Sequence, residues 1–196
     1  MSTQDKWPRF GFIGTGNMGG ALARALRRRV PGENILLSNR TYEKAAVLAA
    51  ELGCAAERDN QAVAAKAEYI FLGVKPQGMA GMLGDIAPAL RARRDRFILV
   101  NIAAGLNIED LRRMAGSDYP VINLKPNTPA AIGQGMSLYL CSPDITKAEE
   151  ALFLEALEGS GRLLSLPEKL MDIGGVLAGC DPAFVEAAGY AGMNFV

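Results

Sequence analysis

The 196-residue chain contains no histidine. That excludes a histidine general base, a nucleophile–histidine pair and a histidine-held metal within this chain, so its chemistry runs without imidazole. Charge of one sign is lacking as well. Lys plus Arg number 21 and Asp plus Glu number 21, and the zero net charge argues against a general affinity for nucleic acid. The one short basic cluster, Arg27-Arg28-Arg29, reads as a solvated helix end with its cations near the C-terminal dipole. There are three cysteines, Cys54, Cys141 and Cys180. They are far apart and odd in number, so neither a disulfide framework nor a zinc knuckle is expected, and a reducing compartment is. No apolar run is long enough for a bilayer, and the opening MSTQDKWPRF lacks a basic stretch followed by an apolar core. No signal peptide or membrane segment is expected, and the cytoplasm is the expected location. No metal site is indicated.

What is present is ordinary globular composition, 49% hydrophobic and 21% charged, arranged in alternating strand-like and helix-like runs. The predicted strands are Phe10–Ile13, Asn34–Ser38, Tyr69–Val74, Phe97–Ile102, Val121–Leu124 and Ser137–Cys141, with a last one near Leu164–Leu166. The predicted helices are Asn17–Arg28, Tyr42–Leu52 with Gly53 as its stop, a short one capped by Asp59 through Lys66, one capped by Asn107, and Thr146–Leu157. Lys75-Pro76 is read as a strand terminator. Continuous apolar strands between amphipathic helices predict an α/β fold, a doubly wound Rossmann-type, mostly parallel sheet covered on both faces. From Glu168 the composition shifts to Gly, Ala and Met. The expected division is a nucleotide-binding domain over 1–167 and the start of a helical C-terminal domain over 168–196.

Gly14, Gly16 and Gly19 fit G-x-G-x-x-G between the first strand and first helix, with a second strand at the expected distance. Gly14 allows the tight turn, Gly16 lets a pyrophosphate approach the backbone, and Gly19 lets helix pack on strand. The amides opening the helix at Asn17 and Met18 face the phosphates. After the second strand comes Ser38-Asn39-Arg40-Thr41, with no acid before Glu43. A carboxylate there would bind the ribose hydroxyls of NAD, whereas a guanidinium, an amide and a hydroxyl suit a 2′-phosphate, so NADP(H) is the expected cofactor, with NAD(H) as the lesser option. The alternative is that Arg40 is a plain surface arginine.

Three later stretches, Val74-Lys75-Pro76-Gln77, Asn101-Ile102-Ala103-Ala104-Gly105 and Pro126-Asn127-Thr128-Pro129, also follow predicted strands, at the carboxyl edge where ligands bind. Small residues at 103–105 leave space for a flat nicotinamide ring, and Lys75 offers a cation there. Each stretch alone is also explicable as turn chemistry.

Taken together, FIGTGNMGGALARAL, SNRT, DNQAV, YIFLGVKPQ, NIAAGL and KPNTPAAIGQGMSLYL resemble the pyrroline-5-carboxylate reductase family, in order, from about Phe10 to about Phe184. The resemblance implies hydride transfer from NAD(P)H to the C=N bond of the cyclic imine 1-pyrroline-5-carboxylate, giving L-proline. It implies cofactor contacts at Gly14, Thr15, Gly16, Asn17, Met18, Gly19, Asn39, Arg40, Thr41, Asn60, Val74, Lys75, Pro76, Ala103 and Ala104. It also implies a homodimer built through the C-terminal helical segment. No catalytic residue is named. A protonated imine already carries its positive charge, so a chain without histidine suits the reaction.

The chain departs from the family pattern in two places. The family's R-x-M before PNTP reads Asn123-Leu124-Lys125 here. In the stretch opening the helical domain, hydroxyl positions become Gly175, Ala178 and Cys180, and Asp181 replaces a glycine. The family also continues past the position of Val196, which makes weak or absent turnover by this chain alone, in a nucleotide-binding role, the second expectation. A β-hydroxyacid dehydrogenase is a third, lesser reading, because the only lysine of the tail is Lys169.

Overall fold

Short apolar segments, four residues long at Phe10–Ile13 (β1), Ile35–Ser38 (β2), Tyr69–Leu72 (β4) and Ile98–Asn101 (β5), are buried at every position. Burial on both faces is what a parallel sheet between two helical layers requires. The computed structural model describes residues 9–171 and Gly174. In it these segments join Ala55–Glu57 (β3), Val121–Lys125 (β6), Gly135–Cys141 (β7) and Gly161–Ser165 (β8) in one eight-stranded sheet, ordered β3-β2-β1-β4-β5-β6-β7-β8. The strands from β1 to β6 pair in parallel, β7 is antiparallel to β6, and β8 runs parallel to β7.

Alternation along the strands divides the core in two. Phe10, Phe12, Leu37, Phe71, Val100 and Leu124 face helices Asn17–Arg27 (α1), Tyr42–Leu52 (α2) and Lys147–Leu157 (α6). Ile13, Leu36, Ile70, Leu72 and Leu99 face Asn60–Lys66 (α3), Pro76–Ala92 (α4) and Ile108–Ala115 (α5). The register Phe12↔Phe71 and Phe10↔Tyr69 sets these rings side by side, stacked with centroids 4.4 and 5.2 Å apart. Phe153 of α6 lies across Tyr69, Phe71 and Tyr139, so one aromatic cluster ties the parallel part of the sheet to its reversed strand.

The doubly wound sheet is as expected, with differences of detail. The edge strand β3 is too short to give a period and was not predicted. The helix α4 is the larger omission. Pro76 opens it rather than only ending a strand, since its missing N–H and fixed φ suit a first helical position. The glycines at 78, 81 and 84 and Pro88 obscure a regular buried stripe of Met79, Met82, Leu83, Ile86 and Leu90. The basic cluster is a further correction, because these arginines are tied rather than merely solvated. Arg27 Nε donates to Leu52 O at 2.7 Å, Arg28 donates to Gly159 O at 2.5 Å and Ala131 O at 2.6 Å, and Arg29 pairs with Glu158. A helix begins again at 168–171. The expected departures at Gly175, Ala178, Cys180 and Asp181, and the C-terminal dimer segment, lie outside the described residues.

Candidate functional site: the carboxyl edge of the parallel sheet

The loops that follow β2, β1, β4, β5 and β6 lie in that order along one edge, spanning about 19 Å at ~4.8 Å per strand. They carry, in sequence along the edge, residues 39–41, 14–19, 73–76, 102–106 and 126–129. Every cofactor residue expected from sequence except Asn60 falls on one of the first four loops, and Asn60 opens α3 after β3, beside β2. One hollow among them covers only part of this edge. It is an open depression of about 520 Å³ running from Thr15, Gly16 and Asn17 along the groove between α1 and α2, past Arg24, Lys44, Val47 and Glu51. Arg40, Val74–Pro76 and Ala103–Ala104 do not line it.

The glycine loop is built by close approach. Gly14 has φ +98°, and a Cβ on it would lie 2.4 Å from Gly73 O. Its N–H donates to Ser38 O at 2.9 Å, and Gly73 N–H donates to Ile13 O at 2.8 Å. The turn is thus clamped between β2 and β4, and Gly73 is a partner that sequence reading missed. Gly16 is different, because a Cβ there would meet nothing within 4 Å. No packing demand explains a glycine at that point, whereas an approaching ligand does. Thr15 Oγ1 is buried without a hydrogen-bond partner, a second sign of a missing contact at this loop.

Helix ends give the same indication. The N-termini of α1, α2 and α4, which follow β1, β2 and β4, have no side-chain cap. Those of α3, α5 and α6 are capped by Asp59, Asn107 and Thr146, the last two through reciprocal capping boxes. No acidic residue occupies the first turn of α1 or α4. Uncapped N-terminal amides with their positive dipole end are the elements from which anion sites are built.

The polar side chains of the edge mostly organise its loops. Asn39 Oδ1 accepts from Thr15 N at 3.2 Å, and its Nδ2 donates to Thr41 O at 3.0 Å. Its amide therefore ties the glycine turn to the 39–41 loop. Ser38 Oγ donates to Asn60 Oδ1 at 2.9 Å, fixing Asn60 above the end of β2. Arg40 is exposed. Beneath the 102–106 loop lie two buried amides, Asn101 and Asn123. The sequence marks Asn123 only as a departure from a motif; its signal is a polar residue between the apolar Ile122 and Leu124 of a buried strand.

The described thiols offer no nucleophile. Burial pushes both Cys54 and Cys141 up to about 11, with Arg27 opposing the shift at Cys54 and Glu150 adding to it at Cys141. Both are protonated at neutral pH. Among the described residues no cluster of metal-ligating side chains occurs, and no helix is long and apolar enough to cross a membrane.

Fold and edge together define an oxidoreductase of the dinucleotide-binding class. The family model described as NADP oxidoreductase coenzyme F420-dependent matches residues 9–105. The chain is 30% identical over 95% of its length to the pyrroline-5-carboxylate reductase of Aquifex aeolicus, spanning 69% of that protein. It is 35% identical over 81% of its length to that of Pseudomonas aeruginosa, of which it spans 55%. The chain belongs to the pyrroline-5-carboxylate reductase family. Among solved structures, the Plasmodium falciparum pyrroline carboxylate reductase with NADP bound superposes with a TM-score of 0.79 at 26% identity, over 97% of this chain and 72% of that one. An enzyme of the family from Coxiella burnetii shares the fold at a TM-score of 0.84 and 21% identity, over 95% of this chain and 72% of that chain.

Proposed function

We propose that the chain serves NADPH-dependent reduction of the C=N bond of 1-pyrroline-5-carboxylate to L-proline. The observation that carries this is the opened carboxyl edge, with a side-chain-free approach at Gly16 and uncapped N-termini on α1, α2 and α4, in a chain of this family. The residues fit the cofactor. Amides at Asn17 and Met18 would hold the pyrophosphate. Arg40 and Thr41, on the turn shaped by Asn39, would hold a 2′-phosphate, and Ala103 and Ala104 would leave the nicotinamide its space. Relatives such as the Plasmodium enzyme, described with NADP bound, support the same cofactor, and the dinucleotide when bound supplies the hydride.

The chain's own contribution is positioning and field. A protonated C=N carbon is already electrophilic, so no imidazole is needed, and orienting it against the nicotinamide is what the edge would supply. A cyclic imine, a homodimer through the segment after residue 168 and a cytoplasmic location complete the proposal. The test follows the absorbance of reduced nicotinamide with purified protein. NADPH should bind more tightly than NADH, and 1-pyrroline-5-carboxylate should accelerate NADPH oxidation where a β-hydroxyacid with NADP+ gives no reverse signal. NADPH binding without reduction of any cyclic imine would assign a nucleotide-binding role instead. Absence of NADPH binding would overturn the reading.

A further inference from the structure

Asn101 ends β5 and Asn123 lies at the middle of β6, each flanked within its strand by apolar residues, and they are 0% and 3% exposed. They are register partners in the parallel β5–β6 ladder, so their side chains leave the sheet side by side on one face. Asn101 Nδ2 donates to Asn123 Oδ1 at 3.0 Å and lies 3.2 Å from the carbonyl oxygens of both Ala103 and Leu106. Asn101 Oδ1 accepts from Ala103 N at 3.0 Å, and Asn123 Nδ2 donates to Leu106 O at 3.3 Å.

Two buried amides in an apolar sheet persist only if their polar atoms are satisfied. Here the turn after β5 satisfies them. The turn needs the contact in return, because Ala104 and Gly105 have no side chain long enough to reach an anchor, and Gly105 takes φ +74°. The buried side chains of Ile102 and Ala103 and these amide contacts together anchor the segment from below, and within 102–106 only Ala104 and Gly105 are exposed.

We propose that Asn101 and Asn123 are positioning residues whose paired amides latch the Ala103–Leu106 turn to the sheet and so set the height of the surface on which the nicotinamide ring lies. This rests on the dinucleotide reading above. The loops assigned to the adenosine end follow β2 and β1, on the far side of β4 from this turn. Loss of the latch therefore acts on one end of the cofactor and spares the other, whereas general destabilisation acts on both.

The experiment uses Asn123→Leu, which keeps the volume and removes the amide, and Asn123→Ser, which leaves room for a water. The ligands are NADPH and 2′-phospho-ADP-ribose, which lacks the nicotinamide. NADPH affinity should fall about tenfold, the effect of one or two lost hydrogen bonds, with affinity for the fragment unchanged. The fluorescence change of bound reduced nicotinamide should shrink, and in the free protein amide exchange should quicken at 102–107 but not in β1, β4 or β5. Equal weakening of both ligands, or of neither, overturns the latch. So does unchanged exchange at 102–107. If Asn123→Leu does not fold, Asn123→Ser decides. If the unaltered chain binds neither ligand, the dinucleotide reading fails, and with it the nicotinamide role of the turn. The exchange measurement still separates that failure from a failure of the latch.

Discussion

Gly16→Ala and Gly14→Ala, two residues apart, should separate the binding of a dinucleotide from the stability of the loop that binds it. Gly16 sits at φ −67°, ψ −168°, where any residue is at ease, and its added methyl would meet nothing within 4 Å. At a helix N-cap, alanine is worse than glycine by roughly 0.5–1 kcal/mol. The reduced entropy of the unfolded chain returns about 0.4–1 kcal/mol. The net is near zero, so the melting temperature should stay within about 2–4 °C, the shift expected for ~1 kcal/mol in a chain of this size. Binding is another matter. A methyl inserted where a phosphate approaches the backbone costs about 1–3 kcal/mol as overpacking, or roughly 5- to 150-fold in the NADPH dissociation constant. Gly14→Ala reverses the balance. Its methyl would stand 2.4 Å from Gly73 O at φ +98°, and backbone must move. A cost of at least about 3 kcal/mol lowers the melting temperature by about 6–12 °C or more. The assays are thermal melting without ligand and NADPH titration by fluorescence. A Gly16→Ala protein that melts as the parent does and binds NADPH equally well would refute the claim that the open space at Gly16 is ligand space.

Arg40→Ala should weaken NADPH about tenfold, the loss of one exposed charge-assisted contact, and leave NADH unchanged; equal affinity of the parent for both cofactors would refute the argument from residues 39–41. Glu149 is held down at about 2, well below its ordinary 4.5, first by its hydrogen bonds with Arg96 and further by Thr146 N–H and Oγ1–H. A lowered carboxylate contributes stability above its unfolded value and loses it as pH falls through the folded one. Melts of Glu149→Gln against the parent should therefore differ most at neutral pH and converge between pH 4.5 and about 2; a constant gap across that window would be inconsistent with the pairing. Arg28→Ala removes two short donations to the carbonyls of Ala131 and Gly159, and should cost about 1–3 kcal/mol and admit limited proteolysis first near 128–133, against a parent resistant there.

Much of this fold was legible because burial on both faces writes itself as continuous apolar strands, and because α2 carries its stop in a glycine of positive φ and α3, α5 and α6 carry their cap in a side chain. Gly53, Asp59, Asn107 and Thr146 act as their residue types suggest. What was illegible depends on neighbours distant in the chain. Asn101 and Asn123 are 22 positions apart, and their role appears only once register sets them side by side. Arg28 reads as one more solvated cation until Ala131 and Gly159, 103 and 131 positions further along the chain, return to it. The uncapped helices show a third kind of information. Thr41 has the right chemistry for a cap and does not use it, while Gly16 and Lys75 have none to use. Forgoing a side-chain cap costs a helix only a few tenths of a kcal/mol where glycine stands at the N-cap and about 1 kcal/mol otherwise, and the helices that follow β1, β2 and β4 forgo it while α3, α5 and α6 do not. Helix N-termini without side-chain caps are where an anionic ligand can complete the backbone. The residues proposed to hold a cofactor are thus partly defined by bonds they do not make within the chain, which a sequence motif records only as glycine.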